Sequence, residues 1–232
     1  MPQLGPIYCE TPAVISNFPA EQWNTWSNLI IILLGITAAV IVARRAPRSA
    51  ELWVLAALLI GNGIGSFLWH ALRTPWALSL DTLPGVLFLL AFVYVWSRRF
   101  LGTGRAWLFL GGFFVLALLF SAGSLILFPG VSPFIPLAPV VIAAAWWLIA
   151  KTARMSRRAA ARGGAALASA LAALLFRSTD IAACAYFPHG THFLWHGFLS
   201  LAAFLGVFVI LELKKREQPP ERRRPGAPDD RL

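Results

Sequence analysis

The stretch Pro188-His-Gly-Thr-His-Phe-Leu-Trp-His196 runs directly into an apolar segment, residues 197–211. His192 and His196 stand four residues apart where that segment begins. Four residues is just over one turn of an α-helix, so both imidazoles leave the same face and can reach one metal ion. The stretch therefore predicts an apolar helix that begins with a pair of metal ligands.

A second apolar stretch ends in Ser66-Phe-Leu-Trp-His70, and Asp81 follows His70 by eleven residues, at the start of the next apolar run. Ser66 and His70 are again four residues apart. Catalytic zinc usually takes three protein ligands and keeps one position for water. We predict that His70 completes a zinc site with the two later histidines. Asp81 would serve as general base and Ser66 as an oxyanion donor.

Each of these residues has an alternative interpretation. His189 is a rival third ligand, although Pro188 and Gly190 favour a loop at that point. Asp81 also fits a helix cap, since short polar side chains at a helix start bond the free backbone N–H groups. Ser66 taken alone is an ordinary helix serine bonded to its own backbone.

Composition predicts a membrane protein. Hydrophobic residues make up 58% of the 232 residues, and the mean hydropathy is +0.69, which is far outside the soluble range. A membrane-spanning helix needs roughly 20 apolar residues. Seven stretches come near that length: 25–43, 52–70, 80–96, 106–127, 134–150, 165–186 and 192–213. We predict an all-α bundle of seven transmembrane helices over 25–213, an external segment over 1–24 and a disordered basic tail over 214–232.

Positive side chains set the orientation. All of the 20 Lys and Arg residues except Arg73 and Arg177 follow the first, third, fifth or seventh stretch. Cytoplasmic loops carry an excess of Lys and Arg, so the N-terminus is predicted outside and the C-terminus in the cytoplasm. This orientation, assigned without the histidines, places all the candidate zinc ligands at outer helix ends.

The net charge of +10 follows from the same distribution. The positive side chains belong to loops and a tail, and no folded basic domain exists, so we exclude nucleic-acid binding. Anionic lipid headgroups at the cytoplasmic face are the expected partners of these charges.

The external segment carries further candidates. Glu10 and Glu21 are either solvated carboxylates or ligands of a hard cation such as calcium. Cys9 and Cys184 are the only cysteines, and both fall outside, where disulfides persist. That placement is compatible with a disulfide and with two buried thiols.

The pattern Ser-x3-His, eleven residues to Asp, and His-x3-His on the last of seven helices resembles the alkaline ceramidases. This family shares a superfamily with the progestin and adipoQ receptors. The resemblance runs from Tyr8 to His196. Its further motifs are Cys9-Glu10, similar to the family's Trp-Cys-Glu; AEQWNTWSN over 20–28, similar to A-E-x-x-N-T-x-S-N; and Asp180-x3-Cys184, similar to D-x3-C.

The resemblance implies that the three histidines bind zinc, that Asp81 activates the water and that Ser66 steadies the oxyanion. It implies hydrolysis of the amide bond of ceramide to a fatty acid and a sphingoid base. The substrate would reach the site sideways from the outer leaflet. It further implies that Cys9 and Cys184 are paired.

Two departures from the family pattern matter. The family's calcium site uses an Asp and an Asn where this chain has Ile7 and Pro12, and only Glu10 and Glu21 keep carboxylates. We therefore predict that calcium is not required. The short loops and the Arg- and Ala-rich composition indicate a bacterial inner-membrane protein with its site near the periplasmic face. Since many bacteria lack sphingolipids, the predicted substrates include other N-acyl lipids.

Three rival functions stand beside this one. A non-catalytic receptor-like or scaffold protein could keep a structural zinc, but Asp81 and Ser66 argue against it, because structural zinc is usually closed by four ligands. A haem protein could use two histidines from the second and seventh helices. A metal transporter would need polar residues through the bundle, and here they cluster at one end.

Overall fold

The computed structural model describes residues 5–127 and 137–217. Over these ranges the chain is a bundle of seven α-helices. They are α1 (Gln22–Arg45), α2 (Ala50–Leu72), α3 (Pro75–Leu101), α4 (Thr103–Leu127), α5 (Leu137–Ala153), α6 (Arg157–Ala183) and α7 (His192–Glu217).

Six of these helices are long and apolar enough to cross a membrane, which indicates a multi-pass membrane protein. The exception is α5, whose apolar part is shorter, Ala138–Ala153. The predicted fifth span began at residue 134, which lies outside the described residues. The predicted tail began at residue 214, but α7 continues to Glu217, and 218–232 also lie outside the described residues.

The predicted start of the third helix is wrong by five residues. Residue 80 was the predicted start, whereas α3 begins at Pro75, with Thr74 as its N-cap. Proline suits a first helical turn because its missing N–H would have no partner there. Asp81 consequently lies in the second turn of α3, and its interpretation as a helix cap is wrong.

A two-residue turn joins α2 to α3. Arg73 ends α2 in the left-handed conformation, with φ 53° and ψ 39°, and Thr74 follows in an extended conformation. So short a connection makes the two helices antiparallel neighbours. It therefore holds the end of α2, which carries His70, beside the first turns of α3.

The two helices touch most closely at Gly65. A Cβ atom at this position would collide with the backbone of Leu80 and Asp81. Pro84 lacks the N–H that would otherwise bond the Leu80 carbonyl, which leaves that carbonyl facing α2. The Asn62 amide also donates to the Asp81 carbonyl at 2.7 Å. This crossing brings the next residue of α2, Ser66, towards Asp81.

The main apolar core fills the opposite half of the bundle. Most of its buried side chains come from the C-terminal halves of α1, α3 and α7 and from the N-terminal half of α2, and α5 and α6 add Leu148 and Ala159. Beyond that core, Glu51 pairs with Arg98, Arg99 and Lys214. The candidate site therefore occupies one end of the bundle and a cluster of paired charges the other.

Candidate metal centre

The structure brings His70, His192 and His196 together, as predicted. Each offers one ring nitrogen that lies within 4.8 Å of the other two, and all three side chains are buried. Their ring centroids are 4.7–5.1 Å apart. The last turn of α2 supplies His70, and the first two turns of α7 supply the others.

The group fits a transition metal such as zinc. Three imidazoles are a donor set that catalytic zinc uses. The Nδ1 atom of His192 is also buried with no hydrogen-bond partner among the described residues. A buried polar atom without a partner is costly unless something else binds it. The site therefore offers three imidazole donors, and one buried ring nitrogen lacks a partner that a bound ligand would supply.

Two of the three histidines are oriented by side chains of the N-terminal region. The Nδ1 atom of His70 lies 2.5 Å from a carboxylate oxygen of Glu21, and the Nδ1 atom of His196 lies 2.7 Å from the Ser27 hydroxyl. With Nδ1 engaged, each ring has Nε2 left for a metal. Such outer partners fix the ring and commonly change metal affinity by about 10- to 100-fold.

Sequence reasoning missed these orienting roles, although a signal for that of Glu21 was present. Glu21, Asn24, Thr25 and Asn28 follow a spacing of i, i+3, i+4 and i+7 at the start of an apolar helix, and all four are fully buried. That spacing is one helix face. A buried polar face on an apolar helix indicates partners in the bundle.

Asp81 and Ser66 lie beside the histidines. The Ser66 hydroxyl faces the Asp81 carboxylate as a hydrogen-bond partner, and His70 lies close enough to that carboxylate to interact with it electrostatically. Ser66 is buried, whereas Asp81 is only partly buried. The hydroxyl expected to steady an oxyanion is therefore directed at the proposed base.

An N-terminal strap, residues 5–21, covers this end of the bundle. The ring of Tyr8 stacks on His192 with 4.0 Å between centroids and lies 5.0 Å from His70. Burial raises the pKa of Tyr8 to about 12, which keeps its phenol neutral. The predicted disulfide between Cys9 and Cys184 is present and fastens the strap to the end of α6.

Asp180 anchors three segments at once. Its carboxylate accepts hydrogen bonds from the backbone N–H groups of Cys9, Thr191 and His192, at 2.8–3.0 Å. Gly190 has φ 62°, and a Cβ there would meet Asp180 and Cys9. This close contact ties the strap to the first residue of α7.

His189 is not part of the histidine group. It precedes α7, its side chain is 54% exposed, and its Nδ1 lies 3.4 Å from a carboxylate oxygen of Glu10. The centroid of its ring also lies 5.2 Å from that of the Trp23 ring. The hypothesis that His189 is the third ligand is therefore wrong for this structure.

The two candidate calcium ligands have separate partners. Both oxygens of Glu10 accept backbone N–H groups in the first turn of α1, from Trp23 at 3.0 Å and Asn24 at 2.8 Å. Glu21 is fully buried. Burial raises the pKa of Glu21, but the hydrogen bond from His70 and the charge of Arg73 outweigh it, so the pKa is below its usual value.

The two positive residues that depart from the charge pattern both lie at this site. The guanidinium groups of Arg73 and Arg177 are 5.5 Å and 4.6 Å from the centroid of the Tyr8 ring. The charge of Arg177 also acts on Asp81. These two arginines therefore contribute positive charge to the candidate centre.

A family model described as Ceramidase matches residues 7–224, which is nearly the whole chain and includes every candidate site residue. No curated protein matches the chain.

Proposed function

The chain belongs to the ceramidase family, and from this premise we propose that it is a zinc-dependent intramembrane amidase. It hydrolyses the N-acyl amide bond of ceramide or of a ceramide-like N-acyl lipid to a fatty acid and an amine. The observation that carries this proposal is the buried group of three histidines beside Asp81 and Ser66. A structural site would need no partly exposed carboxylate next to its ligands.

The metal and the chain have distinct tasks in this reaction. The three histidines would hold zinc, which would supply a Lewis acid to polarise the amide carbonyl and make water a better nucleophile. Asp81 takes the proton from the water that adds to the amide carbon. It then gives this proton to the nitrogen as the C–N bond breaks. General base and acid catalysis of this kind contributes about 10²–10⁴ in rate.

Ser66 has two roles to separate. Its hydroxyl faces Asp81, where it can orient the carboxylate. It also stands one helical turn from His70, close to where an oxyanion would form, and a single such donor is worth about 10²–10³ in rate. Glu21 and Ser27 orient the ligands His70 and His196. The reaction does not require calcium.

The lipid reaches the site from the membrane, in this proposal. The strap and the Tyr8 ring cover the end of the bundle above the histidines, which favours lateral access from the outer leaflet. All seven helices then cross the membrane, with the N-terminus outside and the C-terminus in the cytoplasm. The Lys and Arg side chains at the opposite end face anionic headgroups.

The proposed location combines this orientation with the short loops and the Arg- and Ala-rich composition. The chain is a multi-pass protein of a bacterial inner membrane, and its metal centre lies near the periplasmic face. Anionic headgroups at the cytoplasmic face and an N-acyl lipid from the outer leaflet are its membrane partners.

A lipid screen tests the proposed activity. The purified protein is incubated with a set of N-acyl lipids, and free fatty acid and amine are measured by mass spectrometry. We expect hydrolysis of at least one N-acyl lipid, loss of activity after chelation and recovery with added zinc. Stoichiometric zinc without hydrolysis of any N-acyl lipid would favour the receptor-like alternative.

A further inference from the structure

Arg73 combines an unfavourable backbone conformation with a buried positive charge. Among the described residues it is the one non-glycine residue with positive φ, at 53°. Left-handed backbone is unfavourable for a residue with a Cβ. The residue is also only 6% exposed, and its guanidinium carbon lies 4.0 Å from the centroid of the Trp69 ring. A buried cation on strained backbone needs a compensating role.

One guanidinium joins two parts of the strap. Its Nη2 donates to the Pro6 carbonyl at 2.7 Å, and its Nη1 lies 3.3 Å from Oε1 of Glu21. The Thr11 hydroxyl donates to the same Oε1 at 2.6 Å. The guanidinium therefore lies against the Pro6 carbonyl oxygen and against Oε1 of Glu21. The Thr11 hydroxyl contacts that same carboxylate oxygen.

The other carboxylate oxygen leads to the metal centre. Oε2 of Glu21 lies 2.5 Å from Nδ1 of His70 and accepts from the Asn24 amide at 3.2 Å. A continuous set of contacts thus runs from Pro6 through Arg73 and Glu21 to a zinc ligand of the proposed function. Moving any member would move the His70 ring.

We propose that Arg73 is a built-in cation: it occupies a place lined by hard oxygen donors, does there what a bound metal ion would do, and acts through Glu21 as a positioning residue for His70. The claim about His70 rests on the proposed function. Carbonyl, carboxylate and hydroxyl oxygens are ligands of calcium-like cations. Arginine stays charged at all ordinary pH values, so the strap is fastened without any ion being loaded.

Two consequences follow from removing the guanidinium. Glu21 is left buried without its permanent positive partner, which loosens the orientation of His70. Zinc affinity should then fall by about 10- to 100-fold, as for the loss of other outer partners of metal ligands. The vacated space also exposes the Pro6, Thr11 and Glu21 oxygens to a divalent cation.

The test uses Arg73→Gly in the full-length, zinc-loaded protein. Glycine removes the cation and suits positive φ, so backbone strain cannot explain a loss. Zinc retention is measured by competition with a chelator, and Tm is measured with and without calcium. Arg162→Gln is the matched control, because it breaks the Arg162–Glu212 pair (3.5 Å) at the opposite end of the bundle.

We expect Arg73→Gly to weaken zinc retention by about 10- to 100-fold and Arg162→Gln to leave it unchanged, even if both variants lower Tm. Calcium should raise Tm and zinc retention in Arg73→Gly and in neither the parent nor the control. If Arg73→Gly does not fold, Arg73→Lys serves instead. It keeps the charge but loses the fork that spans two oxygens, and should give an intermediate loss.

Two results would overturn the inference. Zinc retention in Arg73→Gly equal to that of the control would remove the positioning role. A calcium response no larger than the parent's would show that the oxygens do not form a cation site. Zinc is measured directly, so neither result depends on lipid hydrolysis. A parent that holds no zinc would contradict the proposed function, and the calcium arm would still test Arg73.

Discussion

At the residue scale, the metal centre depends on which ring nitrogen each histidine presents. Glu21, just before α1, lies against Nδ1 of His70. Ser27, in the second turn of α1, lies against Nδ1 of His196. Each contact joins residues that are far apart in the sequence. The histidines supply the donors, and contacts from the N-terminal region orient two of them in the candidate metal centre.

Ser27→Ala tests this orienting role. Loss of the hydroxyl frees the His196 ring to rotate, so we expect zinc affinity to fall by about 10-fold or more without loss of the fold. Chelator competition on the purified protein measures the change. Ser200→Ala is the control, because Ser200 is a buried serine of α7 whose hydroxyl donates to the Gly197 carbonyl. Equal zinc affinity in the two variants would contradict the orienting role.

At the element scale, the crossing of α2 and α3 positions the proposed base. Gly65 is where the helices touch, one residue before Ser66, and the turn at Arg73 and Thr74 fixes their direction. In a membrane, small residues allow such close contact, and packing rather than hydrophobic burial drives association.

Gly65→Ala should damage both stability and chemistry. The added Cβ would collide with the Leu80 backbone, so the helices must separate, at a cost of about 1–3 kcal/mol. Ser66 would move from Asp81, and hydrolysis would slow. Gly111→Ala is the control, since a Cβ on that residue of α4 meets nothing within 4 Å. A Gly65→Ala protein as stable and active as Gly111→Ala would show that the crossing is looser than described.

The disulfide sets how firmly the strap is held. Cys9 and Cys184 are 175 residues apart in the sequence, so their link restricts a very long loop of the unfolded chain. Replacing both with serine should lower the free energy of unfolding by up to about 5 kcal/mol and loosen the Tyr8 contact. The Tm of the variant, compared with that of the parent under non-reducing conditions, measures the loss of stability. Two free thiols titrated in the unreduced, denatured parent would refute the pairing.

At the scale of the whole molecule, the chain divides into a metal-centre end and an end of paired charges, with the apolar core nearer the latter. Hydropathy predicted the helices, because long apolar runs leave few other structures in a membrane. The i, i+4 spacing predicted the histidine group, because it depends only on local helix geometry. Both are short-range properties of the sequence.

What the sequence did not predict depends on contacts between distant segments. Glu21 was a candidate calcium ligand, yet it lies against His70 and Arg73. Arg73 was only an exception to a charge pattern. The start of α3 was placed too late because the predicted span was counted from Leu80, whereas the helix already begins at Pro75. Helix ends follow capping and turn chemistry, which hydropathy does not measure.

The central claim, that this site hydrolyses amides, is tested most directly by Asp81→Asn. Asparagine keeps the shape of the side chain but cannot accept the proton, so the variant should bind zinc and fold as the parent does. Turnover and zinc content are measured on the same samples, with whichever N-acyl lipid the screen identifies. The account predicts full zinc occupancy and a loss of about 10²–10⁴ in turnover. Turnover within about threefold of the parent, with zinc retained, would contradict it.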